Sequence, residues 1–332
     1  MWYRRDQAQK RFTLFYNSNS LAGAFGGLLA AAIGSMDGVG GKSGWRWIFI
    51  LEGAVTVAAA CVFYFLLPGF PEEAKWLGEE EKEYLTARLR AEQGASSHED
   101  KMTWFDVKGM FTDVKMYASG FMYMGLVVVA YAYSFFAPGI IKTYGYDNIQ
   151  TQLYSAIPWA SACVVSMTFA VLSDKTQHRF GFSIFGCLVS VIGFTILVTI
   201  YNNHNVQFGA LLMVISGAYI ALPVVICWFN MNLGGHHRRA IGSAWQIGFG
   251  NIGGIIASFA FVKSDAPKYV QGYSICYAFA VLTMLSCLIY AFVCFTQNKK
   301  RNRERESGNE HGLTQAEKDR LGDLSPDYRY LL

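Results

Sequence analysis

The chain has 332 residues, of which 53% are hydrophobic and only 16% are charged, and its formal net charge is +4. Soluble domains carry about 25% charged residues, and the apolar residues here form blocks longer than about 20 residues, enough to cross a bilayer core. The composition excludes a water-soluble globular domain. Nucleic acid is not an expected partner, because the sequence has no basic stripe with interleaved aromatic residues. We expect an all-α membrane protein.

Eight apolar blocks predict eight membrane-spanning helices. In chain order they are Phe12–Gly34, Trp45–Pro68, Tyr117–Ile141, Thr151–Leu172, Gly181–Tyr201, Gln207–Phe229, Arg239–Val262 and Tyr273–Phe295. An even number of spans places both ends of the chain on one side. Most of the 28 basic residues fall in loops on that side, so the positive-inside rule predicts that both termini are cytoplasmic.

The blocks divide the chain into four predicted regions. These are a partial bundle of two spans (1–68), a cytoplasmic loop (69–116), a six-helix bundle (117–295) and a cytoplasmic tail (296–332). The loop contains a charged, helix-forming stretch and a second piece predicted to lie in the membrane interface. The polar, charge-dense tail is expected to be mostly disordered. Its basic cluster after the last span predicts contact with anionic lipid or a stop-transfer signal.

Stripes of small and polar residues mark the first and seventh spans. The first stripe is Thr13, Asn17, Ser20, Ala24, Gly27 and Ala31, and the second is Ser243, Gln246, Gly250, Gly253 and Ala257. Helices in lipid associate through such residues, so both should pack closely against neighbours. Asn17, Ser20, Gln246 and Asn251 can either line a solute pathway or form hydrogen bonds between helices, and the sequence leaves both alternatives open.

Four further residues are candidates for a solute pathway. Glu52 lies inside the second span, where a carboxylate is costly unless it is paired or protonated. It is therefore a candidate proton carrier or a fixed partner for a neighbouring polar group. Tyr131, Ser134 and Trp228 can bind a planar organic solute, or they can simply pack.

The sequence contains no pattern typical of a metal site or of an enzyme active site. All seven cysteines fall inside apolar blocks and show no metal-type spacing. We find no cluster of His, Asp and Glu near a membrane face, so we expect no metal, no cofactor and no enzyme activity.

Several segments resemble one family. The most distinctive runs Met-Asp-Gly-Val-Gly-Gly at residues 36–41 and Gly-Trp-Arg-Trp-Ile-Phe-Ile-Leu-Glu-Gly at residues 44–53. Others are Trp-Phe-Asn at 228–230, Gly-His-His-Arg-Arg-Ala at 235–240 and Asp-Tyr-Arg-Tyr at 327–330. With these segments the chain resembles the major facilitator superfamily, and within it the fungal anion:cation symporter group of allantoate and nicotinate permeases.

The resemblance implies a fold of two six-helix halves with a solute site between them at the bilayer midplane. The eight predicted spans match the family's fifth to twelfth, so the first four would be lacking. The implied protein is a monomer of the plasma membrane. It would take up a small organic anion with protons by alternating access. The first span lacks the Gly-Pro pair of antiporters, which favours symport. A non-transporting remnant or a nutrient sensor is the alternative.

One cytoplasmic loop also resembles a family motif. The segment 173–179, Ser-Asp-Lys-Thr-Gln-His-Arg, is similar to the loop whose acidic and basic residues latch neighbouring helices together. By this resemblance Asp174, Lys175 and Arg179 form a cytoplasmic latch. The alternative is a solvated turn.

Overall fold

The computed structural model describes residues 8–67, 74, 76–93, 104–262, 265, 268–307 and 322–332. Within these residues all regular structure is helical, which confirms the predicted all-α class. The helices are α1 (Ala8–Gly34), α2 (Gly44–Leu66), α3 (Glu79–Gln93), α4 (Trp104–Met110), α5 (Val114–Lys142), α6 (Asn148–Thr176), α7 (Arg179–Thr199), α8 (His204–Met231), α9 (His236–Gly250), α10 (Ile252–Ala260) and α11 (Val270–Glu306), with short 3-10 turns at Val39–Gly41 and Gly322–Leu324.

Six of the described helices are long and apolar enough to cross a bilayer, namely α2, α5, α6, α7, α8 and α11. Helix α1 occupies the first predicted span, and α9 with α10 divides the seventh between two shorter helices. Length and composition therefore support six spans, and the other two remain a prediction. Pro68, the predicted end of the second span, lies outside the described residues.

Helix α8 lies at the centre of the bundle, and its side chains are buried along most of its length. It packs against α5, α6 and α7. Glycines bring α7 and α8 into backbone contact, since a methyl group on Gly217 would lie 2.5 Å from the carbonyl oxygen of Gly186. Helices in lipid associate by close approach through small residues, because burying apolar side chains provides no hydrophobic driving force there.

Helix α1 packs along α6 and α8 rather than mainly on α2. Gly27 of its small-residue stripe lies directly against the side chain of Gln152 on α6, and Gly23, next to the stripe, lies against the ring of Trp159, as predicted for close packing. Helix α2 meets the end of α1, where Gly44 donates its N–H to Asp37 Oδ1 at 2.6 Å. The rest of α2 is exposed and apolar, so this face must contact lipid or protein.

The expectation of a mostly disordered tail is wrong for its described parts. Helix α11 continues beyond the predicted span to Glu306, and residues 322–332 pack onto the bundle. Composition predicts disorder when a segment cannot bury enough apolar surface. Here specific polar partners on the bundle compensate, and composition does not register them. Residues 308–321 lie outside the described residues.

The contact between α7 and α8 yields a first prediction. Gly217→Ala should lower the thermal unfolding temperature of the purified protein, because overpacking against a backbone carbonyl costs about 1–3 kcal/mol. Gly209→Ala on the same helix is the matched control, since open space surrounds that position. Alanine is a better helix former by about 1 kcal/mol, so the control should melt no lower than the parent. Equal melting of the two variants would contradict close α7–α8 packing.

Candidate functional site

A chain of aromatic rings connects four helices in the middle of the bundle. Ring centroids lie 6.1 Å apart for Phe12 and Tyr16 and for Tyr16 and Tyr219, then 5.3 Å apart for Tyr219 and Trp159 and for Trp159 and Tyr133. Offset and edge-on ring pairs at these distances are attractive. The chain therefore fixes α1, α8, α6 and α5 relative to one another.

Four phenols from three of these helices converge beside the aromatic chain, and we call Tyr16, Tyr123, Tyr131 and Tyr219 the tyrosine cluster. The Tyr16 and Tyr123 side chains lie close to each other. Both lie close to Tyr131 and Tyr219, and the rings of Tyr16 and Tyr219 have centroids 6.1 Å apart. Asn19 Nδ2 donates a hydrogen bond to the Tyr219 hydroxyl at 3.0 Å. A phenol both donates and accepts, so the cluster is a compact polar site in an apolar bundle.

The tyrosine cluster has an inner wall and an open edge. Tyr219 is 1% exposed and Tyr123 7%, whereas Tyr131 is 39% exposed, and Asn19 is exposed as well. Tyr131 stacks on Phe135 with an interplanar angle of 12°. The open edge thus offers flat aromatic surface beside hydroxyl and amide groups, which suits a planar solute with polar substituents.

A local irregularity in the seventh predicted span lies beside the tyrosine cluster. Helix α9 ends before Asn251 and α10 begins after it, but Asn251 keeps helical backbone angles, and both its N–H and its Nδ2 donate to the Ile247 carbonyl at 2.9 Å. Gly250 packs against the ring of Tyr123 and Gly254 against the ring of Tyr131. The structure therefore brings predicted Asn251 and Tyr131 into one region, with the Asn251 side chain exposed. Ser134 is exposed one turn from Tyr131.

Gln246 is fully buried, and neither polar atom of its amide has a hydrogen-bond partner among the described residues. On the same face of α9, Gly242 packs against α8 and Gly250 against α5. The side chain therefore lies inside a helix interface and lines no open surface in this conformation. An unpaired buried amide costs about 1–3 kcal/mol.

Asn17 and Ser20 lie in the interface between α1 and α6. Asn17 Oδ1 accepts from Ser166 Oγ at 2.7 Å, and its Nδ2 donates to the Cys163 carbonyl at 3.2 Å. Ser20 is fully buried. Of the two alternatives for Asn17, the structure displays the hydrogen bond between helices.

Two other predicted residues lie away from the tyrosine cluster. Trp228 is fully buried, and its Nε1 donates to the Leu331 carbonyl at 2.8 Å. This position, covered by the end of the chain, does not fit a pathway-lining role in this conformation. Glu52 is exposed on α2, which meets the far end of α1.

At one end of the bundle Asp174 and Arg179, which we call the latch pair, form an ion pair with 2.8 Å between Oδ1 and Nη2. Arg179 also donates to Ser173 Oγ at 3.0 Å, and its side chain is fully buried. The other Asp174 oxygen accepts the Lys10 N–H at 2.9 Å, so it satisfies a free donor in the first turn of α1. Lys175 is exposed. The pair thus ties α1, α6 and α7 together by charge-assisted bonds.

Residues 1–258 match the family model described as the Major Facilitator Superfamily, and the chain belongs to this family. It is 30% identical over 344 residues to the MFS-type transporter cnsO of Penicillium expansum, covering 100% of this chain and 66% of that protein. It is 28% identical over 329 residues to the high-affinity nicotinic acid transporter of Saccharomyces cerevisiae, covering 99% of this chain and 61% of that protein.

The structural comparison supports the same fold. The proton:xylose symporter XylE superposes with a TM-score of 0.56 over 84% of this chain and 63% of that one, at 18% identity. Family membership confirms the resemblance drawn from the sequence and defines an integral, multi-pass membrane protein in a family of transporters. The chain spans 61–66% of the length of the two curated relatives.

Sequence reasoning missed Tyr16, Asn19, Tyr123 and Tyr219. Tyr16 and Asn19 flank the predicted stripe of α1, and Tyr219 lies in an apolar block where a single phenol carries no special signal. Only the packing of α1 and α5 against α8 brings them together.

The interhelical role of Asn17 is open to test. Asn17→Ala should lower the unfolding temperature, because it removes two hydrogen bonds between helices, each worth about 0.6 kcal/mol and at most about 1.7 kcal/mol in a membrane protein. Ser18→Ala is the matched control, since Ser18 Oγ bonds to its own helix and is exposed. An unchanged melting point for Asn17→Ala would point back to a pathway role.

The latch pair gives a further prediction. Asp174→Asn should destabilise the fold by about 3 kcal/mol or more, because it leaves a buried guanidinium without its counter-charge. Lys175→Gln should change stability by less than about 0.5 kcal/mol, as expected for an exposed side chain. Thermal unfolding of both variants measures the difference, and similar losses for both would argue for the solvated turn.

Proposed function

We propose that the chain forms the solute-binding and latch-bearing part of a secondary transporter for a small, planar organic anion, a carboxylate or vitamin-like compound. The observation that carries the proposal is the tyrosine cluster, which presents aromatic surface, phenols and an amide at an open edge. Such groups orient a flat solute by stacking and by hydrogen bonds to its polar substituents. The similarity to a nicotinic acid transporter supports this solute class, since nicotinic acid is a planar aromatic carboxylic acid.

The irregular helix beside the cluster is a candidate for movement during transport. Transporter sites are often built at discontinuous helices, whose ends can shift as the two halves rock. Asn251 separates α9 from α10 at the level of Tyr123 and Tyr131. We propose that the bend between these helices changes during alternating access, and that Gln246 gains hydrogen-bond partners in the alternate conformation.

Proton coupling is the second part of the proposal. Glu52 is the one acidic residue inside the eight predicted spans, so it remains the candidate proton carrier. Its side chain is exposed on α2, and an acidic residue within a membrane span is a candidate for a functional role. If Glu52 carries the proton, Glu52→Gln abolishes stimulation of uptake by an inward proton gradient while leaving solute binding intact.

The proposed orientation places the latch pair in the cytoplasm. Lys10, Lys175 and Arg179 lie at this end of the bundle, as does the basic end of α11. An excess of basic residues favours the cytoplasmic side. Plasma-membrane location, a monomeric state and cytoplasmic termini belong to the same proposal.

The test is uptake of radiolabelled nicotinate and other planar carboxylates by cells expressing the intact protein. Tyr219→Phe should raise KM about 2- to 10-fold with little change in maximal rate, because the exposed Asn19 amide loses the hydroxyl that positions it, a hydrogen bond of about 0.5–1.5 kcal/mol. Tyr144→Phe is the matched control, since the buried Tyr144 hydroxyl makes no hydrogen bond within the described residues.

Two results would contradict the proposal. An unchanged KM for Tyr219→Phe would remove the tyrosine cluster from the solute site. Binding of a carboxylate without any flux would instead favour a nutrient sensor or a non-transporting remnant.

A further inference from the structure

The last described segment, Gly322–Leu332, lies across the end of the bundle that carries the latch pair, and we call it the tail strap. It contacts α7, α8, α9 and α11 through hydrogen bonds and α5 through a cation–π contact. Helix side chains supply most of these contacts, and they bind backbone groups of the strap. The strap is therefore held at this surface by specific contacts from several helices.

A buried aspartate anchors the start of the tail strap. Asp323 is fully buried, pairs with Arg238 Nε at 2.7 Å and accepts the Gly234 N–H at 3.1 Å. Gly234 and Gly322 lie in backbone contact. A buried carboxylate is tolerated only with such partners, so this end of the strap holds the turn between α8 and α9.

Arg301 of α11 holds the middle of the tail strap, and Tyr330 is the aromatic residue at the centre of these contacts. Arg301 donates through Nη1 to the Tyr328 carbonyl and through Nη2 to the Asp323 carbonyl, both at 2.8 Å. The guanidinium also covers the Tyr330 ring, and Lys115 Nζ lies 3.7 Å from the centre of that ring. These charge-assisted and cation–π contacts bring α5 and α11 onto one tyrosine.

Paired backbone bonds hold the end of the tail strap. The Leu331 N–H donates to Asn232 Oδ1 at 2.7 Å, and the Leu331 carbonyl accepts from Asn232 Nδ2 at 3.0 Å and from Trp228 Nε1 at 2.8 Å. The next carbonyl, of Leu332, accepts the Arg179 N–H at 2.9 Å. Arg179 begins α7 and belongs to the latch pair. The strap thus connects α8 and α11 directly to the latch.

We propose that the tail strap is a conformational lock on this end of the bundle. Docked, it holds α8, α11 and the latch pair in one arrangement. Released, it frees the turn between α8 and α9 and allows the ends of α8 and α11 to separate. The lock acts on helix ends whether or not a solute is bound, so it does not rest on the proposed solute.

The reactivity of a buried cysteine can be used to measure release of the strap. Cys294 on α11 is fully buried and lies close to Tyr290, Lys115 and Arg301, and both of these basic residues contact the Tyr330 ring. Cys187 and Cys287 are also buried, but they lie farther from the strap, in the contact between α7 and α11. Thiol reactivity at Cys294 therefore measures opening at the strap, and reactivity at Cys287 measures loss of the whole fold.

The experiment compares Arg301→Ala with Arg303→Ala in the full chain. Arg303 lies on the same helix but lines an exposed groove with Lys299 and Lys300, so its loss removes one positive charge and no strap contact. Purified protein is treated with N-ethylmaleimide, and modification of each cysteine is followed over time by mass spectrometry. Hydrogen exchange of the Leu331 amide reports docking of the strap in the same samples.

Arg301→Ala should speed modification of Cys294 by on the order of tenfold or more, because several charge-assisted bonds are lost. Arg303→Ala should behave like the parent, and Cys287 should stay unmodified in both. The proposal is overturned if Leu331 exchanges freely while Cys294 stays protected, or if Cys294 and Cys287 react together. If Arg301→Ala fails to fold, Asn298→Ala, which removes the bonds to the Tyr330 backbone, gives the same discrimination.

Discussion

The backbone contact between α7 and α8 is the constraint on which the rest of the structure depends. Gly186 and Gly217 let these helices touch without intervening side chains, and α8 is thereby fixed at the centre of the bundle. Tyr219 lies two residues beyond the contact and faces the tyrosine cluster. Trp228 and Asn232, at the end of α8, hold the tail strap. One buried helix therefore positions both features, and its location follows from two missing side chains.

Local sequence signals predicted what depends on neighbours along the chain. Block lengths predicted the positions of α5 to α8, and the family resemblance of the segment 173–179 implied the contact between Asp174 and Arg179 that the structure contains. Both properties depend on residues a few positions apart. The bond between Asn19 and Tyr219 joins residues 200 positions apart, and no local pattern marks either of them. The tyrosine cluster was therefore out of reach of sequence reasoning.

The two polar stripes show where composition stops being informative. Asn17 and Gln246 occupy equivalent places in similar stripes, yet Asn17 makes both of its bonds to α6, whereas Gln246 is buried without a partner. Spacing places each residue on a packed face, but the partner depends on which helix lies opposite. The prediction of a disordered tail was wrong for the same reason. From composition Arg301 is a solvated charge, but in the structure it donates hydrogen bonds to backbone carbonyls of the strap.

Helix α8 also contains a point of weakness between its two functional ends. Pro223 has no N–H, so the carbonyl of Tyr219 lacks its usual partner four residues later, and prolines inside helices produce kinks. This missing hydrogen bond lies between the tyrosine cluster and the contacts of α8 with the tail strap. The same buried helix presents Tyr219 to the tyrosine cluster and Trp228 to the tail strap. The interrupted backbone hydrogen bonding of α8 therefore separates the residue that belongs to the cluster from the residues that bind the strap.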